Sequence, residues 1–72
     1  MTLATLTPGT RVRITAGAYR WLIGREGVTE ARIHEGDADT PELWRVWLPA
    51  TRYGMEERAL MFADEVSVLE DA

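Results

Sequence analysis

The residue types that could do covalent or metal chemistry are few. His34 is the single histidine and there is no cysteine, so reactive-thiol chemistry is excluded. No Ser-His-Asp spacing accompanies His34, which leaves a nucleophilic machine without most of its parts. A lone histidine of this kind belongs at a surface or a strand end. Glu35, Asp37, Asp39 and Glu42 offer carboxylates to a hard cation, but their spacing is not that of a calcium loop. Gly36 and Pro41 lie among them and mark the segment as a solvated hairpin tip. Gly24 and Gly27 are not followed by Lys-Ser/Thr and a helix, as a phosphate loop requires. The expectation is a protein that is not an enzyme and that uses no metal or cofactor.

Binding chemistry is better represented. Trp47, Tyr19, Trp21 and Tyr53, with Arg20, Arg45 and Leu43, combine large apolar area with polar or charged handles, the types that dominate binding energy at protein interfaces. Trp21 has a second reading, as a lid that folds its loop over an open barrel end. Arg11, Arg13, Arg20 and Arg25 could instead take phosphates, with Tyr19 or Trp21 stacking on bases. Charge weighs against that alternative. The chain carries a net −4, and nonspecific nucleic-acid affinity comes mainly from clustered cations. Residues 1–34 hold five arginines against two glutamates, whereas residues 35–72 hold three arginines against ten acids, so the folded chain is expected to show two electrical faces. Lys, Asn and Gln are all absent, which removes the usual bidentate reader of adenine in the major groove.

The elements that must position these residues are short strands. Thr7-Pro8-Gly9-Thr10 has Pro and Gly where a type II turn wants them. Thr10–Thr15 follows and alternates Val12 and Ile14 with arginines, the period of a half-buried strand. Ala16–Gly24 shows no period and reads as a loop. Gly27 to Glu35 reads as a second strand whose inward residues, Val28, Ala31 and Ile33, change parity, so a bulge is expected near Glu30. Leu43–Leu48 alternates again: Trp44, Val46 and Leu48 face the core, and Leu43, Arg45 and Trp47 face outward, which exposes Trp47. Pro49–Glu57 is a loop, although Met55 to Met61 alone could pass for a short helix. Leu60 and Phe62 suit a fourth strand, Ala63-Asp64-Glu65 a tight turn, and Val66–Leu69 a fifth strand. The expected core is Val12, Ile14, Val28, Ile33, Trp44, Val46, Leu48, Leu60, Phe62, Val66 and Val68.

At 72 residues, with 46% hydrophobic and 28% charged side chains, the chain suits one folded domain over residues 1–72. Met1–Leu6 lacks the basic start and apolar length of an export signal, and no apolar run is long enough for a membrane-spanning helix, so a cytoplasmic location without membrane insertion is the expectation.

Five short strands with turns between them resemble an all-β, five-stranded SH3-like barrel. Val12, Ile14, Gly17, Gly24, Gly27 and Val28 are similar to a KOW motif, with about three extra residues between Gly17 and Gly24. Gly9, Val12-Arg13-Ile14, Tyr19 and Phe62-Ala63-Asp64-Glu65-Val66 resemble the PsaE type of small barrel found in photosystem I. Both resemblances imply a module that docks on a large assembly. The leading expectation is a non-catalytic protein-interaction module, a small adaptor or regulatory subunit with a protein partner. The alternative is a KOW-like module that binds RNA, DNA or a ribonucleoprotein through its Arg-rich half.

Overall fold

The computed structural model describes residues 6–52 and 54–69. It is all-β, with five strands: β1 (Arg11–Ile14), β2 (Glu26–His34), β3 (Leu43–Leu48), β4 (Glu57–Phe62) and β5 (Val66–Val68). All pairings are antiparallel within one sheet, in the order β4-β3-β2-β1-β5. Among the described residues the only helical segments are single 3-10 turns, Arg20–Leu22 and Ala63–Glu65. Met55–Met61 is loop and strand, not helix.

The turn chemistry behaves as the residue types require. Thr10 N–H donates to Thr7 O across the Pro8-Gly9 turn, and Gly9 takes φ +87°, a value that a side chain would strain. Thr29 then locks this turn to β2. It is buried, yet its hydroxyl donates to Thr7 O at 2.6 Å and accepts from Thr10 N at 3.0 Å, so no polar group is stranded. Gly27 is required by contact. A Cβ there would meet the carbonyl oxygen of Trp47 and come within 2.8 Å of Leu48 Cδ2.

The β2–β3 register slips between Thr29 and Ala31, which puts a bulge at Glu30 as the parity change demands. Its sense is the reverse of the expected one. Gly27 and Thr29 face the core before the bulge, and Val28 turns outward opposite Trp47. A second slip between Arg32 and His34 leaves Ile33 exposed.

The core consists of Leu6, Val12, Ile14, Leu22, Trp44, Val46, Leu48, Ala59 and Met61, with Val66 and Val68 packed against it half-buried. Both ends of the sheet supply it, β1 from one side and β4 from the other, so the sheet curls around a single interior. No pairing joins β4 to β5 among the described residues, and the sheet is not closed. The turn Ala63–Glu65 bridges that gap: Ala63 N–H donates to Glu42 O, and Glu65 O accepts from Thr15 N and Ala16 N.

In β4 the expected parity is inverted. Ala59 and Met61 are buried, whereas Leu60 and Phe62 stand on the outer face at 58% and 38% exposure. The charges explain the ambiguity, because Glu57 and Arg58 sit on opposite parities and only the fold selects Arg58 as the outward one. Trp47 is half-buried instead of exposed, flanked across the strands by Val28 and Arg58.

Candidate functional site

The loop between β1 and β2 is built to present aromatic side chains. Its base is pinned by Gly24 N–H to Ile14 O at 2.8 Å and Ile14 N–H to Arg25 O at 2.9 Å. Its tip is a 3-10 turn in which Leu22 N–H reaches Tyr19 O and Ile23 N–H reaches Arg20 O, both at 3.1 Å. Leu22 is buried and anchors the turn in the core. Tyr19 and Trp21, on either side of Arg20, point away from the core, 56% and 69% exposed, with ring centroids 5.0 Å apart and planes tilted by 44°. That separation and tilt fall within the range of favourable aromatic pairs. Trp21 at this exposure is not a lid closed over the interior. Leu22 performs that packing.

The turn runs alongside β4. One groove of about 440 Å³ is lined by Tyr19, Trp21, Leu22, Arg58, Ala59 and Leu60. A second, of about 150 Å³, lies between Gly17, Tyr19 and the β4 residues Leu60, Met61 and Phe62. The outward residues of β3 lie one strand further in, with Leu43 opposite Phe62, Arg45 opposite Leu60 and Trp47 opposite Arg58. Five of the six residues expected to bind protein, Tyr19, Trp21, Leu43, Arg45 and Trp47, are thus gathered around the outer side of β4. Tyr53 lies outside the described residues. Leu60 and Phe62 join the two groups, although strand periodicity alone places them in the core; the parity they share with Arg58 is the sequence signal that points outward.

The arginines of the first half are arranged differently. Arg13 binds Glu26 Oε2 through Nη2 at 2.7 Å and Nε at 3.2 Å, and Arg11 approaches the same carboxylate at 3.9 Å. Arg25 is only 15% exposed at its side chain; it pairs with Glu57 at 2.7 Å and donates to Pro49 O and Met55 O. It holds the β3–β4 loop in place. A groove of about 700 Å³ beside it, lined by Trp21, Gly24, Pro49 and Gly54 among others, therefore meets an arginine whose charge is already neutralised. On the outer sheet face Glu30, aimed outward by its bulge, accepts from Arg45 Nε at 3.1 Å and Arg58 Nε at 3.0 Å. Arg20 makes no ion pair among the described residues.

The acidic hairpin tip is a closed hydrogen-bonded turn. Asp37 Oδ1 accepts from Asp39 N at 2.8 Å and Thr40 N at 2.9 Å, and these bonds hold its carboxyl below the usual carboxylate range. Glu42 is lowered as well, first by Arg32 and then by the Trp44 indole N–H. His34 is exposed at the end of β2, where its Nδ1 accepts from Gly36 N at 3.0 Å. No group of three or more His, Asp or Glu able to hold a metal ion occurs among the described residues. No helix among them is long and apolar enough to cross a membrane.

Compared with known proteins, the chain matches no family model, and no curated protein or solved structure reaches significant similarity to it.

Proposed function

We propose that this chain is a non-catalytic protein-interaction module, a small adaptor or regulatory subunit that docks a protein partner along the outer side of β4. The observation that carries the reading is the clustering of Tyr19, Trp21, Leu60 and Phe62, all exposed, beside a strand that pairs on one side only. Large apolar groups held on a rigid turn in water cost nothing further to order when a partner arrives, and each gains its full burial. Leu43, Arg45 and Trp47 extend the patch across the sheet.

The finer architecture belongs to the same proposal. A last strand paired to the first, a long central strand and one core fed from both halves support an SH3-like barrel with its β4–β5 seam unpaired. The KOW-like, nucleic-acid reading draws less support, since Arg11, Arg13 and Arg25 each face a glutamate.

The test is partner capture by the immobilised chain and by Trp21→Ala and Leu60→Asp variants. Burial of a tryptophan anchor is worth about 2 kcal/mol, so Trp21→Ala should weaken the captured partner about 30-fold. Both side chains are exposed, so the melting temperature should stay within a few degrees. Capture that survives both changes would sink the proposed surface.

A further inference from the structure

The partner's chemistry follows from the hydrogen-bond phase of β4. In an antiparallel ladder, opposed residues alternate between pairs that exchange both backbone bonds and pairs that exchange none. Ala63 N–H donates to Glu42 O at 2.8 Å, one step past the Phe62–Leu43 pair, which sets the bonded pairs at Met61–Trp44, Ala59–Val46 and Glu57–Leu48. Arg58, Leu60 and Phe62 therefore turn their N–H and C=O groups away from β3. Phe62 fixes this phase independently, because its N–H is taken by the Glu65 side chain, Oε1 at 2.9 Å, and not by β3. No other backbone bond from a described residue reaches Arg58 or Leu60.

We propose that the partner docks as a short extended peptide strand that adds to β4, bonding backbone to backbone with Arg58 and Leu60. This rests on the reading of that edge as a docking surface. Unmet N–H and C=O groups at strand spacing are satisfied most fully by another extended backbone. The added strand is short, because the Glu65 carboxylate occupies the Phe62 position and the β3–β4 loop begins beyond Glu57. Alternate side chains of the added strand enter the groove of Tyr19, Trp21, Leu22 and Ala59, which takes apolar residues. An acidic residue in the segment complements Arg20, which has no ion-pair partner among the described residues and sits in the same turn as Trp21. A strand such as β5, three residues long and without flanking exposed aromatics, offers no comparable seat.

The experiment titrates the labelled full chain with a pool of blocked octapeptides that alternate valine or tyrosine with threonine and carry one aspartate. The expected result is that the amides of Arg58 and Leu60 move most and slow in hydrogen exchange by about 10-fold or more, while those of Ala59 and Met61, already bonded, change little. N-methylation of the peptide at the residues facing β4 should abolish binding, and N-methylation at the intervening residues should spare it. Equal sensitivity to both patterns would overturn strand addition yet leave the docking surface standing. Unchanged exchange at Arg58 and Leu60, no binding by any peptide, or a chain that instead pairs with a second copy through β4 in sedimentation would also overturn it. Partner capture indifferent to Trp21→Ala removes the underlying surface itself, so the two failures are told apart.

Discussion

On the β1–β2 side of the molecule Arg13 lies 2.7 Å from Glu26, Arg11 shares that carboxylate at 3.9 Å, and Arg25 lies 2.7 Å from Glu57. On the β4 side Tyr19, Trp21 and Leu60 stand more than half exposed, next to backbone groups of Arg58 and Leu60 that bond to no described strand. Both regions hold residue types that favour binding, yet only one leaves its interactions unmade. Composition counts the binding groups, whereas availability depends on which of them the fold has already satisfied. An arginine held by a glutamate gains little from a phosphate, because that exchange must first break the pair. An exposed indole has no such prior claim on it.

Substitution should separate the two regions most sharply at Arg25. Its guanidinium is largely buried and satisfies Pro49 O and Met55 O besides Glu57, so Arg25→Ala should cost about 2 kcal/mol of stability in denaturant unfolding. Arg13→Ala, at a half-exposed pair, should cost under about 1 kcal/mol. If Arg25→Ala proves silent in stability but weakens partner binding, the division between a structural and a functional region collapses.

The smallest effect concerns pH. Asp37 and Glu42 both have lowered folded-state pKa values, so each contributes stability that is present above the ordinary carboxylate range and lost as pH falls through the lowered value. The melting temperature should therefore decline on acidification below that range. Asp37→Asn, which keeps an oxygen to accept from Asp39 and Thr40, should flatten part of the decline without touching the β4 edge. A steeper acid dependence in that variant would contradict the assignment.

Much of this arrangement is legible in the residues. The Pro8-Gly9 turn, the alternation in β1 and β3, the bulge at Glu30 and the five all-β elements follow from local chemistry that the rest of the chain does not overrule. The sidedness of β2 and β4 is not legible. Period 2 states that neighbours oppose one another but not which of them is inside, and in β2 the close approach to Trp47 O and Leu48 demands glycine at the inward position 27. Thr29 is hidden for a related reason, since a buried hydroxyl is acceptable only because Thr7 and Thr10, far away in sequence, supply its partners. Leu60 and Phe62 pass for core because no local signal distinguishes an exposed apolar pair from a buried one. Their exposure is what makes them candidates for contact.

The most direct test is a map of amide shifts on the labelled chain bound to its captured partner, repeated at low and high salt. Docking at β4 predicts shifts centred on Trp21, Arg58 and Leu60 and an affinity that changes little with salt, as apolar and backbone contacts require. Shifts centred on Arg11, Arg13 and Glu26, with an affinity that collapses as salt rises, would contradict it and move the binding face to the other side of the sheet.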